Sequence, residues 1–492
     1  MTYKEARVYL DEMSKYGSVL GLDTIRGLLR ELGDPQESLR FIHIAGTNGK
    51  GSVLAYTSTI LSEAGYRIGR YVSPTVVSYL ERIQVDGTWI SEEMFAQMTS
   101  QVRDAIARLE EAHEPLPTVF EAETAIAFLY FKEVKCDLVV LEAGLGGALD
   151  ATNIIRNTVC AVFSSISRDH IGVIGNTLEE IAENKAGIIK SGCTVVSADQ
   201  LPSVTEILKK RAAQNGCLFI EAEPEKAEIH RADYRGMELS YKEYSHLTTS
   251  LSGRYQADNL CTALEVIRFL NRNGYPVSEQ AVKNGTAHTL WQGRFTCIGE
   301  SPVFILDGAH NEAAAQRLRE TVEDYFTGKK LIFIMGVFKD KEYDRIAEIM
   351  CPLAASVYTV QLPDKKRGLP PEELAETVRK YCPHVTAVSK NENEAAAAIA
   401  VDRNSDATTV SDRSSGAAAA ATDEDDSVSK AVAMALTEAE KEDVILAFGS
   451  LSYLKQAETA YENTVTTVTR KADASKAPCR MGEQTTNKGR EL

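Results

Sequence analysis

Short apolar runs alternate along most of the chain with longer stretches whose apolar residues recur at helical spacing. Each run has the length of one buried strand. Strands that alternate with helices predict a mainly parallel sheet covered on both faces. The predicted strands lie at 41–45, 66–72, 137–141 and 160–165, and again at 303–306, 330–335, 356–361 and 444–448.

Two stretches interrupt this pattern. Residues 218–252 alternate apolar and polar positions, which is typical of a small antiparallel sheet. Residues 291–295, Trp-Gln-Gly-Arg-Phe, then indicate a hinge. We therefore expect an α/β protein of two domains. The first, 1–290, has a P-loop-type, mainly parallel sheet and the small antiparallel sheet, and the second, 296–461, is Rossmann-like.

Two segments have compositions unsuited to a packed core. Residues 402–428 are low in complexity, with an alanine run followed by a run of acidic residues, and they predict a flexible insertion. Residues 462–492 are polar, with almost no large apolar side chain, and predict a disordered tail.

Charge and cysteine content narrow the function. The 492 residues include 54 basic and 70 acidic side chains, which gives a net charge of −16 and argues against a nucleic acid or an anionic membrane as partner. The nine cysteines form no C-x-x-C pair, so neither a zinc site nor a disulfide framework is predicted. The chain has no signal-peptide pattern and no apolar run of about 18 residues, so we expect a soluble cytoplasmic protein.

The candidate chemistry starts at residues 46–52, Gly-Thr-Asn-Gly-Lys-Gly-Ser, which follow the apolar run 41–45. Glycines between a strand and a helix let backbone N–H groups surround a phosphate, with Lys50 at the β- and γ-phosphates and Ser52 near Mg²⁺. A tight strand-to-helix turn uses glycine equally well, and the spacing departs from G-x-x-x-x-G-K-[ST]. The expected nucleotide-binding residues here are Gly46, Thr47, Asn48, Gly49, Lys50, Gly51 and Ser52.

Polar side chains also follow three other predicted strands. Ser73 precedes Pro74 at one strand end, Glu142 closes another, and residues 307–311, Asp-Gly-Ala-His-Asn, follow a third. Open α/β sheets bind ligands at these carboxyl ends, where a carboxylate suits Mg²⁺. Taken alone, Glu142 is better explained as a solvent-facing strand end, and His310 as a surface or helix-capping histidine.

Several of these strings together resemble the folylpolyglutamate synthase and dihydrofolate synthase family, relatives of the murein-precursor amide ligases. The resemblance rests on Gly-Thr-Asn-Gly-Lys-Gly-Ser at 46–52, Glu-Arg-Ile at 81–83, Leu-Glu-Ala-Gly-Leu-Gly-Gly-Ala-Leu-Asp-Ala-Thr-Asn at 141–153, Gly-Arg-Tyr-Gln-Ala-Asp-Asn at 253–259 and Asp-Gly-Ala-His-Asn at 307–311. It covers roughly 1–400 and 430–460.

The resemblance implies an ATP- and Mg²⁺-dependent ligase that joins L-glutamate to dihydropteroate or reduced folates through an acyl phosphate. We expect no nucleic-acid or membrane partner, and we expect a monomer. The Asp-Ala-Thr-Asn string at 150–153 looks like the bifunctional bacterial members, so we expect dihydropteroate to be accepted. The implied residues are Lys50, Lys185, His170 and His310 for catalysis; Asn259, Arg294, Asp307 and His310 for the nucleotide; and Ser73, Glu142, His170 and Lys185 for the metal.

Lys185 stands within the apolar stripe of a helix predicted from Thr177 to Lys190. Its stem can pack there while the ammonium reaches water. The resemblance implies instead that Lys185 is carbamylated, and burial favours the neutral amine that takes up CO₂. A carbamate would give Mg²⁺ an anionic oxygen ligand, so we predict that Lys185→Ala nearly abolishes turnover.

Three positions depart from the family pattern: Thr75 where histidine is common, Ala148 in place of an arginine, and Asn184 where glutamate usually precedes the lysine. Two alternatives to a folate ligase are open, and these departures from the pattern bear on the second. One is a murein-precursor amino-acid ligase with a UDP-linked acceptor. The other is a nucleotide-binding regulatory protein that has lost ligation.

Overall fold

A computed structural model describes residues 1–13, 21–389 and 427–475, with side chains as far as residue 466. The first part of the chain is built on an eight-stranded sheet of order β4-β3-β2-β5-β1-β6-β7-β8. The strands from β2 to β8 in this order are parallel, and β3 and β4 form an antiparallel edge. Their bounds are β1 Phe41–Ala45, β2 Ile68–Tyr71, β3 Ile83–Val85, β4 Thr88–Trp89, β5 Leu138–Glu142, β6 Thr158–Phe163, β7 Thr194–Ser197 and β8 Leu218–Glu221.

Helices cover both faces of this sheet because alternate residues of its central strands point to opposite sides. Ile42 and Ile44 of β1 pack on one side with α3, α8, α9 and a three-stranded antiparallel sheet, whereas Phe41 packs on the other with α1, α2, α4 and α5. The elements are α1 Tyr3–Met13, α2 Asp23–Glu31, α3 Lys50–Glu63, α4 Glu92–Glu111, α5 Val119–Glu133, α6 Leu178–Ala186, α7 Pro202–Gln214, β9 Ala227–Asp233, β10 Gly236–Tyr241, β11 Tyr244–Thr249, α8 Arg254–Arg272 and α9 Glu279–His288.

The second part of the chain forms a six-stranded sheet of order β12-β13-β17-β14-β15-β16, parallel except for the edge strand β12. One face packs on α10, α11 and α12, and the other on α13 and α14. The bounds are β12 Thr296–Glu300, β13 Val303–Leu306, α10 Glu312–Tyr325, β14 Leu331–Met335, α11 Tyr343–Met350, β15 Ser356–Val360, α12 Pro371–Val378, β16 Val385–Val388, α13 Ser427–Glu438, β17 Val444–Phe448 and α14 Leu454–Ser475.

The predicted α/β fold class, with its small antiparallel sheet and second α/β sheet, is confirmed. The division at 290–296 stays a prediction. Of the predicted insertion 402–428, residues 402–426 lie outside the described part of the chain. Its last two residues, Ser427 and Val428, are the first residues of α13. No helix among the described residues has the length and apolar composition to cross a membrane.

Three local expectations are wrong. Residues 218–221 join the parallel sheet beside β7 and not the antiparallel one. The helix containing Lys185 ends at Ala186 and not at Lys190. The Ala148 N–H donates to the Asn184 carbonyl at 2.9 Å, and the Ile188 N–H donates to the Lys185 carbonyl instead of continuing the helix. The tail expected from 462 is helical to Ser475, and residues beyond 475 lie outside the described part of the chain.

Candidate functional site

The carboxyl ends of the two parallel sheets face each other across one cavity of about 530 Å³, within the usual size for a small-molecule site. Every residue that the sequence suggested for the site lines this cavity. These residues are Gly46, Thr47, Asn48, Gly49, Lys50, Gly51, Ser52, Ser73, Glu142, His170, Lys185, Asn259, Arg294, Asp307 and His310.

The loop 46–52 has little room for side chains at its glycines. Gly49 has φ +88°, and a Cβ there would lie 2.3 Å from Oδ1 of Asn259. Gly49 immediately precedes α3, which starts at Lys50, and the Gly49 carbonyl accepts from the Val53 N–H at 2.9 Å. The buried hydroxyl of Ser52 has no hydrogen-bond partner in the described structure. The loop therefore presents a helix N-terminus and an unpaired hydroxyl to the cavity, as a phosphate site requires.

Lys50 and Glu142 form an ion pair on this wall, with Nζ 3.9 Å from Oε1. Burial raises the pKa of the Glu142 carboxyl, and the Lys50 ammonium opposes that rise. The Lys50 ammonium also donates to the Thr47 carbonyl at 3.2 Å. One cation and one carboxylate at the end of neighbouring strands β1 and β5 are therefore available to a nucleotide and its metal.

Lys185 is buried, with 4% of its surface exposed, and its ammonium donates to the Gly46 carbonyl at 2.7 Å. The ammonium of Lys185 therefore does not extend into water, as the alternative explanation of a packed stem with a solvated ammonium requires. Burial, with repulsion from Lys50, lowers the pKa of Lys185 to about 7. The amine is therefore partly neutral near neutral pH.

Asp169 links the two halves of the cavity. Lys341, from the loop after β14, donates to its Oδ1 at 2.8 Å, and the two side chains are only 9% and 11% exposed. This lysine holds the pKa of Asp169 below its usual range, against the effect of burial. His170 lies beside it with φ +51° and Nε2 3.8 Å from Asp169. Neither Asp169 nor Lys341 is among the site residues expected from the sequence.

The opposite wall is built around Asp307 at the end of β13. Its carboxylate accepts from the N–H groups of Phe295 and Ala309, both at 2.8 Å, and from the Tyr255 hydroxyl at 3.3 Å. Burial raises its pKa, and Arg294 opposes the rise. His310 donates from Nδ1 to the Gly308 carbonyl at 2.7 Å, and burial lowers its pKa to about 4. The neutral ring therefore keeps a lone pair on Nε2.

A pair of amides joins the phosphate loop to the second sheet. Nδ2 of Asn48 donates to Oδ1 of Asn311 at 3.2 Å, and Nδ2 of Asn311 donates back at 3.1 Å. Asn311 also caps α10 by accepting from the Ala314 N–H. The sequence before α10 indicates Asn311 as a helix cap, but no local pattern indicates that it pairs with Asn48, 263 residues away.

The turn that follows Glu142 is supported from inside the sheet. Asp150 accepts from the Leu145 N–H at 2.7 Å, and the Thr152 hydroxyl donates to the same carboxylate at 2.5 Å. The Thr152 oxygen then lies 2.9 Å from Nε2 of His43, whose ring is fully buried in β1. Because the Thr152 proton is directed to Asp150, His43 is the donor through Nε2. We call His43, Thr152 and Asp150 the buried relay.

The donor set of the cavity fits Mg²⁺ bound together with a nucleotide. Glu142 provides a hard carboxylate oxygen and Ser52 an unpaired hydroxyl. Residues 1–13, 21–389 and 427–475 contain no group of three or more His, Cys, Asp or Glu side chains arranged to hold a metal alone. The ion would take its remaining ligands from phosphates and water, as Mg²⁺ commonly does.

The sequence matches two domain families. Residues 44–267 match the Mur ligase middle domain, and residues 293–411 match the Mur ligase, glutamate ligase domain. The chain is 34% identical over 364 residues to a dihydrofolate synthase/folylpolyglutamate synthase of Bacillus subtilis, which covers 72% of this chain and 84% of that protein. It is 30% identical over 380 residues to the folylpolyglutamate synthase of Lacticaseibacillus casei, covering 75% and 88%.

Solved structures have the same fold over nearly the whole chain. The folylpolyglutamate synthase of Thermotoga maritima superposes with a TM-score of 0.75 at 26% identity, covering 94% of this chain and 97% of that one. The E. coli FolC in complex with DHPP and ADP also gives 0.75 at 26% identity, covering 94% and 98%.

Proposed function

The chain belongs to the folylpolyglutamate and dihydrofolate synthase family of Mur ligases, and from this membership we infer how its site works. It is an ATP-dependent carbon–nitrogen ligase that adds L-glutamate to dihydropteroate, reduced folates or both through an acyl phosphate. The observation that carries the assignment of residues is the cavity that the two sheet edges share, with Lys50 and Glu142 on one wall and Arg294 and His310 on the other.

We propose that the phosphate loop binds the nucleotide through its backbone N–H groups, with Lys50 neutralising the phosphates. Bound Mg²⁺ would add further neutralisation of phosphate charge, held by Glu142, Ser73, His170 and a carbamylated Lys185. The low pKa of Lys185 supports that modification, because a neutral amine can attack CO₂, lose a proton and form the carbamate. The carbamate would also remove a positive charge from beside Lys50.

The second sheet would complete the reaction. Arg294 would neutralise charge on the transferred phosphoryl group. Asp307 accepts from the N–H of Phe295 in the hinge and from the N–H of Ala309 after β13. Nε2 of the neutral His310 ring would accept a hydrogen bond from the incoming ammonium of glutamate and so position it, because a pKa of about 4 makes the ring a weak base. Catalysis would rest on positioning and charge neutralisation across the cavity. A monomeric state and a cytoplasmic location stay predictions of the sequence.

The test is to mix the protein with ATP, Mg²⁺ and L-glutamate and with one acceptor at a time, then identify the products by mass spectrometry. We expect glutamylated product with dihydropteroate and with tetrahydrofolate. Product only with a UDP-linked muropeptide would identify a murein-precursor ligase. Nucleotide binding without any product would identify a regulatory protein. Extension of tetrahydrofolate without any dihydrofolate product would remove the expected use of dihydropteroate.

A further inference from the structure

Two loops at the carboxyl edge of the second sheet are joined into one ridge. Phe338 in the loop after β14 forms an antiparallel bridge with Gly368 in the loop after β15. The Lys339 N–H donates to the Arg367 carbonyl at 2.9 Å, and the Lys339 ammonium donates to the Lys366 carbonyl at 3.3 Å. These bonds fix the relative position of the side chains on the two loops.

This ridge carries exposed positive charge. Lys339, Lys366 and Arg367 are all exposed, and we call them the basic rim. The carboxylate of Asp364 accepts from the backbone N–H groups of Lys366 and Arg367 at 3.1 and 3.2 Å, so it serves the turn itself. The rim is therefore a local concentration of cations on a chain whose net charge is −16.

Arg367 has a defined orientation within the rim. Its guanidinium lies over the Phe338 ring at 4.5 Å from the centroid, and one nitrogen is 3.6 Å from Asp340. The side chain is nevertheless 59% exposed, so it can accept a further anion. A stacked guanidinium presents its donors edge-on, which suits carboxylate recognition.

The rim is continuous with the reaction cavity. Phe338, Lys341 and Arg367 all line the cavity that contains Lys50. Lys50 and Lys341 are each paired with a carboxylate inside it, at 3.9 and 2.8 Å. Arg367 is therefore an exposed cation of this cavity, and the bonded ridge places Lys339 and Lys366 beside it. Arg317 on α10 is another exposed cation that lines the cavity, but its guanidinium is paired with Glu320 at 3.3 Å.

We propose that the basic rim binds the α-carboxylates of glutamate residues already attached to the acceptor. This inference rests on the proposed function, because each ligation adds one α-carboxylate to the acceptor. A chain of carboxylates can contact two or three rim cations at once, whereas dihydropteroate brings a single carboxylate that is consumed in the reaction. The rim would therefore favour acceptors that already carry several glutamates.

The test compares acceptors that differ only in the number of attached glutamates. We would measure KM for tetrahydrofolate with one and with four glutamates, using the double variant Lys366→Gln/Arg367→Gln. Lys210→Gln/Lys329→Gln is the matched control, since it removes the same charge from exposed positions, one on α7 and one in the turn before β14. In the rim variant, we expect the ratio of KM for four glutamates to KM for one to rise about three- to tenfold. In the control it should not change.

A second readout uses salt. Raising ionic strength from about 0.05 to 0.5 M should reduce the preference of the wild-type protein for the longer acceptor, and reduce it less in the rim variant. An unchanged KM ratio in the rim variant would overturn the inference. A rise in KM for free L-glutamate alone would also overturn it, because the rim would then hold the incoming amino acid. Absence of wild-type turnover with every acceptor would instead contradict the proposed function.

Discussion

Replacing Thr152 by valine tests whether the buried relay holds the turn after Glu142. Valine keeps the shape of threonine but has no hydroxyl. The change removes a hydrogen bond to the Asp150 carboxylate and leaves the buried Nε2–H of His43 unpaired. A bond to a charged group contributes about 1.5–3 kcal/mol, and an unpaired buried donor costs about 1–3 kcal/mol. The two contributions together predict a destabilisation of about 2.5–6 kcal/mol.

Thr152→Ser is the matched control because it keeps the hydroxyl and loses one methyl group, a change of about 1 kcal/mol. Urea unfolding would compare the two variants, and hydrogen exchange would report on the Leu145 N–H, which donates to Asp150. Only the valine variant should exchange this amide faster and lose kcat/KM, since the turn directly follows Glu142. Equal stability and equal Leu145 exchange in the two variants would refute the relay.

Three further predictions follow from the same site. Lys185→Ala should remove nearly all turnover, measured as ADP release, while the protein stays folded. Formate or acetate should restore part of that turnover. Normal turnover of the variant would exclude a catalytic carbamate at Lys185. Burial lowers the pKa of His43 to about 3, so its contribution to stability is complete above pH 6.5 and is lost as the pH falls toward 3. Between pH 7 and 5, urea unfolding should show the wild type losing about 2 kcal/mol more than His43→Gln, and parallel pH profiles would contradict this. Gly49→Ala should weaken ATP binding at least about tenfold by calorimetry, because its Cβ would lie 2.3 Å from Asn259 Oδ1. Gly65→Ala is the control, since Gly65 has φ +91° with nothing within 4 Å, and equal ATP affinity in the two variants would contradict the role of the clash.

The sequence predicted the parts of the site that lie at the end of a single strand. The strand 41–45 has its predicted bounds, and Glu142 closes β5 as expected, because a buried strand and its terminal polar residue are local features. The glycines at 46, 49 and 51 indicated the phosphate loop because they too are a local feature of the sequence. Since the strands were predicted to be parallel, their carboxyl ends were expected to meet at one edge of the sheet.

The remaining features depend on contacts between distant parts of the chain. At the end of α6, the Ala148 N–H donates to the carbonyl of Asn184. Residues 218–221 form a parallel strand because they pair with β7. The Lys341–Asp169 pair joins residues 172 positions apart, and no local pattern predicts it. His43 looked like one residue of an apolar run, and only its contact with Thr152 shows its connection to the turn.

The amide pair between Asn48 and Asn311 has a consequence for synthesis of the protein. The two residues are 263 positions apart, and a ribosome adds about 5–20 residues per second. The phosphate loop therefore leaves the ribosome about 13–53 s before its partner. During that interval the first sheet can fold around an incomplete site that lacks Asn311, Lys341 and His310. A nascent chain that meets ATP has no second wall to bring glutamate to an activated acceptor, so ligation begins only when the last sheet has formed.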